Sequence, residues 1–229
     1  MIHNKLIDLT INVKRATWRL NDDNHDKIVD EAFRANRLKA FERDDHTCHG
    51  CNFRSPPTKT GASWQEAHHV DSDHSNNDIK NLVTLCPLCH QVFHIGAAGA
   101  LNGGTMIWLP EMTQADLNHL ARSLFVALVT SSEYEGSARA MYASIESRAM
   151  YLEEVFSSGA SDPSFFGQAY LDADPKLIQP IIKQGVRILP APERFQTVID
   201  HWVAMGYKGL PPETWGGLVA AEKQSLFNQ

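Results

Sequence analysis

The chain has 229 residues, is 43% hydrophobic and carries a net charge of −6, which suffices for one large domain or two small ones. No run of about 20 apolar residues occurs, so no membrane-spanning helix is expected. The opening MIHNKLIDLTINVKR lacks the apolar stretch of a secretory signal, which points to the cytosol. Charge is spread unevenly: residues 1–109 hold 12 Lys and Arg against 13 Asp and Glu, and residues 110–229 hold 9 against 14. The basic footprint of a tight, non-specific nucleic-acid binder is missing.

Residues 6–13 (LIDLTINV) are rich in β-branched side chains and predict a strand, which VKRATWRL continues or leaves. Asp26 to Asp44 predicts an amphipathic helix with Ile28, Ala32, Ala35, Leu38 and Phe41 on or near one face. Residues 55–63 make a loop punctuated by Pro and Gly. Trp64 to Val70 reads as a strand, and Asp71 to Lys80 as a polar, turn-rich segment. Pro87 suits the first turn of a helix ending near Gly96, and residues 105–109 (TMIWL) read as a strand. The character changes at Pro110. Leu117 to Thr130 and Ser137 to Phe156 predict long helices, with Thr113 and Asp116 as a capping box in which Asp replaces Glu. Asp174-Pro175 opens a shorter helix that stops at Gly185, and residues 192–205 predict a last one. The expected fold class is α+β, with a zinc-stabilised module over residues 1–109 and a mainly α-helical, protein-interacting extension over 110–229.

The four cysteines form two knuckles, Cys48-x2-Cys51 and Cys86-x2-Cys89, 34 residues apart. Two such knuckles are a strong structural-zinc signal, because each turns two thiolates to one point and four close a tetrahedral shell. A pair of disulfides is the competing reading, and a cytosolic chain argues against it.

His90 and His94 are four residues apart on the predicted helix and share a face, while Cys89 can point the other way. His68 and His69 are neighbours on a strand and should diverge. If His68 joins His90 and His94, three imidazoles make a site with open positions, the pattern of a catalytic rather than a structural metal. His69 is then left as a general base with a suitable pKa. The bland alternative for His90 and His94 is a solvated helix face. His46, His49 and His74 read as surface or hydrogen-bonding residues, and Asp71, Asp73 and Asp78 as a solvated loop.

Taken together, Cys48-x2-Cys51, Glu66-Ala67-His68-His69-Val70 and Asn81-Leu82-Val83-Thr84-Leu85-Cys86-x2-Cys89-His90-x3-His94 resemble the HNH endonuclease family over residues 43–95. The resemblance implies a ββα-metal fold, in which a hairpin and a helix grip one divalent cation. It implies His69 as the base that activates water. His68, His90 and His94 would be ligands of a catalytic cation, and Asn81 the residue that pins the loop orienting His69. The four cysteines would hold a structural zinc. Ser72-Asp73 stands where the family often has Pro. Three imidazoles suit Zn, Ni, Co or Mn better than Mg, which prefers oxygen. Arg43, Arg54, Lys59 and Lys80 are the candidate phosphate contacts for DNA.

Over a longer stretch, VKRATWRL, NNDIKNLVTLCPLC and the region from WLPEMTQADLNHL to SDPSFFGQ resemble the IcmJ/DotN subunit of bacterial type IVB secretion systems. That resemblance implies partners among coupling-complex proteins, bound through the helical region. It also implies no membrane insertion and a cytoplasmic place at the inner face of the inner membrane. Two functions follow: an HNH-type endonuclease within a secretion or conjugation apparatus, or a catalytically silent, zinc-stabilised adaptor of that apparatus. A free-standing HNH nuclease of restriction or phage defence is a third.

Overall fold

Helix α1 (Lys27–Arg43) lies across a two-stranded antiparallel sheet of β1 (Glu66–His69) and β2 (Leu82–Leu85), in a computed structural model that describes residues 6–13, 27–59, 61 and 63–217. The register runs from Glu66↔Leu85 to His69↔Leu82. All four β2 residues are buried, so this short strand is covered on both sides. It leads into α2 (Pro87–His90), a 3₁₀ turn (Gln91–Phe93) and α3 (Ile95–Ala100). A second antiparallel pair joins β3 (Gly104–Trp108) to β4 (Val186–Pro190), with Gly104 opposite Pro190 and Trp108 opposite Val186.

Between β3 and β4 run α4 (Gln114–Val129), α5 (Glu135–Glu146), α6 (Ala149–Val155), α7 (Pro163–Asp172) and α8 (Pro175–Gly185); α9 (Gln196–Met205) follows. Local chemistry starts these helices. Thr113 accepts from the Asp116 N–H at 3.1 Å and donates to its carboxylate at 2.6 Å, an N-cap in which Asp116 bonds the hydroxyl and not the backbone N–H that the expected capping box requires. Asp162 caps α7 and Asp174 caps α8, each followed by proline at the first helical position, where a missing N–H costs nothing. Close approaches fall at two glycines. A Cβ on Gly99 would stand 2.1 Å from Ser164 Oγ, which lets α3 and α7 touch, and one on Gly104 would stand 2.2 Å from the Leu189 carbonyl oxygen.

One core cluster draws Leu9, Ile11, Leu85, Leu88 and Val92 from before residue 110 and Phe125, Phe166, Ile188, Ile199 and Trp202 from after it. At roughly 1.5–3 kcal/mol per large buried side chain, this shared core is a large part of the stabilisation.

Several expectations need correction. Residues 6–13 are extended but belong to no sheet: Ile7 donates to His49 O, Asn12 to Val92 O and Ile95 to Asn12 O. These isolated bonds go to loops and a helix end, so no ladder forms. VKRATWRL lies outside the described residues from Lys14 on. The face of α1 is misassigned, because Ala32, Ala35 and Leu38 are exposed while Ala40 and Phe41 are buried; the Ile28 side chain is outside the described residues. The helix expected from Pro87 to Gly96 breaks at His94, whose φ of −136° and ψ of 47° are not helical. Ser137 to Phe156 is two helices, interrupted at Ser147 and Arg148. Helix α7 falls within the region expected to be mainly helical without being singled out there, and β4 places a strand in that region.

Asp44 ties the first helix to the sheet. Its side chain is 2% exposed, accepts from Arg43 at 2.7 Å, lies 3.3 Å from His49 Nε2 and accepts the Thr84 N–H at 3.0 Å. His49, read as a surface or hydrogen-bonding residue, is buried and meets the Asp44 carboxylate. Burial alone would raise the Asp44 carboxyl, but the bonds from His49, Arg43 and Thr84 outweigh it and hold the pKa far below the usual range. The folded value thus lies below the unfolded value of about 3.9. The stabilisation is complete above about pH 4 and is lost as pH falls below it. Asp44→Asn should cost about 3 kcal/mol at neutral pH and flatten the acid limb of stability in urea melts. An acid limb unchanged by the substitution would contradict this account.

Candidate metal centres

The first knuckle follows a turn in which Asp45 and His46 have positive φ (48° and 51°), as does Asn52 (60°) just after Cys51. Gly50 sits where an added Cβ would meet Leu9 at 2.8 Å and Cys89 at 3.1 Å, so the two knuckles close on it. Cys86 is the N-cap of α2, and both Cys89 and His90 donate backbone N–H to its carbonyl. All four cysteines are buried and none is in a disulfide.

Their sulfurs lie within 4.8 Å of one another, and Cys51 and Cys86 Sγ are 3.8 Å apart. A tetrahedral zinc with bonds of about 2.3 Å sets its sulfurs roughly 3.8 Å apart. Four thiols able to become thiolates, in tetrahedral spacing and out of water, fit a structural metal such as zinc. Hydrogen bonds from the other three thiols, helped by the Arg122 guanidinium, pull the Cys51 thiol down, whereas burial pushes Cys86 and Cys89 up. Sulfur accepts further N–H bonds: Gly50 N to Cys48 at 3.3 Å and Asn118 Nδ2 to Cys89 at 3.2 Å.

A second cluster lies across the short helix. His68, His90 and His94 each offer a ring nitrogen within the same 4.8 Å span. Ring centroids are 5.6 Å apart for His68 and His90, 6.3 Å for His68 and His94, and 4.7 Å for His90 and His94. The helix break at His94 therefore does not separate the rings, because the 3₁₀ turn carries the chain round to the same side. Phe93 stacks on His68 at 4.3 Å, and the Glu66 carboxylate bonds His90 Nδ1.

His69 points to the opposite face of β1. It is buried, stacks on Phe33 at 5.5 Å and shares a 2.8 Å hydrogen bond with the Asn77 amide oxygen. Helix α1 holds that asparagine in turn, since Asn36 Nδ2 donates to Asn77 O at 2.9 Å. His74 stands between the sets, 4.9 Å from His69 and 5.7 Å from His94 by ring centroid.

Asn81 does not bond the His69 ring. It fastens the loop: its Oδ1 accepts the Asp71 N–H, its Nδ2 donates to Asp71 Oδ1 and Asn76 O, and its carbonyl accepts the Val70 N–H. The acidic loop is exposed and internally bonded, with Asp71 accepting the Asp73 N–H and Asp73 the Ser75 N–H. Of the candidate phosphate contacts, Arg43 donates to the Ile79 and Leu82 carbonyls and pairs with Asp44, and Arg54 pairs with Asp45. Lys59 and Lys80 are exposed.

Sequence reasoning gave no role to Phe33, Asn77, Asn118, His119 and Arg122, and did not foresee that Glu66 and His74 stand beside the imidazoles; Glu66, His74 and Asn77 carried a signal by lying inside the histidine-rich segment.

A mixed α/β protein folded around a buried four-cysteine cluster, able to hold a structural metal such as zinc, is the class that fold and site define. No family model matches the chain. It is 35% identical over 201 residues to the type 4 apparatus protein DotN of Legionella pneumophila subsp. pneumophila strain Philadelphia 1, an overlap of 86% of this chain and 90% of that protein. The chain belongs to the DotN family.

With zinc in place the four thiols should resist a thiol-reactive dye until a strong chelator is added, and then all react, with loss of the folded state. Four thiols that label at once in untreated folded protein would contradict a bound metal.

Proposed function

We propose that the protein is a zinc-stabilised component of a type IV apparatus, working at the cytoplasmic face of the inner membrane through contacts with coupling-complex proteins. The observation that carries this reading is the similarity to DotN along most of both chains. No helix among the described residues is long and apolar enough to cross a membrane, which suits a part that docks on others. The region after residue 109 is the docking side in this reading. Its helices α5 and α6 expose Met141, Met150, Tyr151 and Val155, each about half exposed or more, and exposed apolar side chains on successive helices suit a protein partner.

The test is affinity capture of the tagged full chain from its own host. Apparatus proteins should co-purify with the parent and be lost with Met150→Glu/Val155→Glu, while the metal content stays the same. Equal recovery by parent and variant would remove this docking side; no apparatus protein with either would remove the reading itself.

A second reading, an HNH-type phosphodiesterase on DNA, is favoured by one specific observation: three imidazoles converge beside a fourth that is held apart. The β1–β2 hairpin followed by a short helix supports this reading. Glu66 occupies His90 Nδ1, which fixes the ring and leaves Nε2 to face an ion, as carboxylates do for ligating histidines. A divalent cation (Zn, Ni, Mn or Mg) on His68, His90 and His94 would supply charge neutralisation at a phosphate oxygen and at the leaving 3′ oxygen. An Asn77 oxygen accepting from His69 Nε2 sets the ring's tautomer, and Phe33 stacks on the ring. His69 would then take the proton of the attacking water. Lys59 and Lys80 suit phosphate better than Arg43 and Arg54, which already hold carbonyls or carboxylates.

Plasmid nicking with added Mn or Ni should fall by about 100-fold or more in His69→Ala, with the sulfur-bound zinc retained. Equal cleavage by parent and variant would leave the adaptor role alone.

A further inference from the structure

Helix α4 meets three of the four sulfurs, those of Cys51, Cys86 and Cys89, with side chains from successive turns. Asn118, fully buried, donates from Nδ2 to Cys89 Sγ at 3.2 Å. Its orientation is fixed from behind, because Gln114 Nε2 donates to Asn118 Oδ1 at 2.9 Å while Gln114 Oε1 accepts the Ile188 N–H at 2.9 Å. The amide NH₂ is thereby turned to sulfur. One turn further on, Arg122 Nη2 lies 3.5 Å from Cys86 Sγ and 3.7 Å from Cys51 Sγ. Between them in sequence, His119 Nε2 donates to Cys51 O at 2.7 Å, and its Nδ1 accepts from Arg122 Nη1 at 3.1 Å. One tautomer satisfies both bonds.

Arg122 is 1% exposed and lies over the Phe53 ring at 3.7 Å, with the Trp202 ring at 5.0 Å. A guanidinium in such a place is costly without a counter-charge. Among the described residues no carboxylate forms an ion pair with it. The groups it faces are the Cys51 and Cys86 sulfurs, which become thiolates when a metal binds. Four thiolates around a divalent cation carry excess negative charge, so the sulfur centre and the buried arginine each supply what the other lacks.

We propose that helix α4 completes the sulfur-bound metal centre: Arg122 balances its charge and Asn118 fixes one thiolate, so metal binding and docking of the helical region are one cooperative event. This rests on the reading of the four cysteines as a metal site. Arg122 and Asn118 are positioning residues, since neither binds the ion.

The test uses the full chain loaded with zinc, titrated with a chromophoric chelator, and in parallel the cobalt(II) form. Arg122→Met should weaken metal binding about 10- to 100-fold, and Arg122→Lys, which restores the charge without the planar fork, should recover part of the loss. The cobalt–thiolate absorption band should move to longer wavelength in Arg122→Met and in Asn118→Ala, a shift that lost packing alone would not produce. Unchanged affinity and an unchanged band in Arg122→Met would overturn the proposal while leaving the zinc reading intact. A parent chain that binds no metal overturns both. Should Arg122→Met fail to fold, amide exchange of the parent decides: zinc removal should speed exchange in residues 118–125 together with residues 48–51. Exchange in α4 indifferent to zinc removal would overturn the coupling.

Discussion

Bringing four thiols to one buried point constrains where most other elements can lie. Cys48 and Cys51 hang from the turn that ends α1, and Cys86 and Cys89 sit on the first turn of α2, so closing the cluster brings α1 and α2 together around β2. The His49 N–H donates to Thr84 O at 2.8 Å, which joins the first knuckle to the strand two residues before Cys86. Register then follows. With β2 set by Cys86, the pairing of His69 with Leu82 and His68 with Val83 decides which histidine faces α2 and which faces α1. Four buried thiols with nothing to bind would be poor anchors, since burial disfavours the thiolates. A metal turns that cost into a gain, and its binding energy becomes folding energy.

Two clusters share one short helical run because neighbouring residues on a helix point to different sides. Cys89 turns to the sulfurs and His90 to the imidazoles. Strand alternation does the same on β1, where His68 faces Phe93 and the other two histidines, and His69 faces Phe33 and Asn77. Helix α1 sets the far wall of this second region without giving it a ligand. Phe33 stacks, Asn36 holds Asn77, and Arg43 holds the Ile79 and Leu82 carbonyls at 2.7 Å each. An arginine expected to meet phosphate is thus a clasp between helix and hairpin.

The cysteine spacing and the histidine pairs were legible because their partners lie within 50 residues and on short, regular elements. The caps at Thr113 and Asp174 were legible for the same local reason. Long-range pairing was not. Strand β4 pairs with β3 about 80 residues away, and VRILP carries no alternation to announce it. Residues 6–13 look like a strand by composition, yet composition does not say that a ladder partner exists. The buried face of α1 was misread because polar Asn36 and Arg43 make contacts that an apolar-stripe rule ignores. Arg122 could not be singled out: on sequence it is one charged residue in an ordinary helix, and only the fold reveals that it is buried against sulfur.

Residues on either side of position 109 fold around one core. The shared core, the β3–β4 pair and the contact of α4 with the sulfurs all cross it. Removing the helical region would strip Asn118, His119 and Arg122 from the metal centre and open Phe125, Ile188 and Trp202 to water. Met150 and Val155, by contrast, are exposed and stand outside that core. The imidazole cluster raises a separate point. A mechanical adaptor needs the sulfurs to hold its shape but has no need of His68, 5% exposed and pressed on Phe93 beside two more imidazoles. Gathering polar rings there carries a desolvation cost, which a cation held by the three rings would offset, and their spacing is one that could hold an ion.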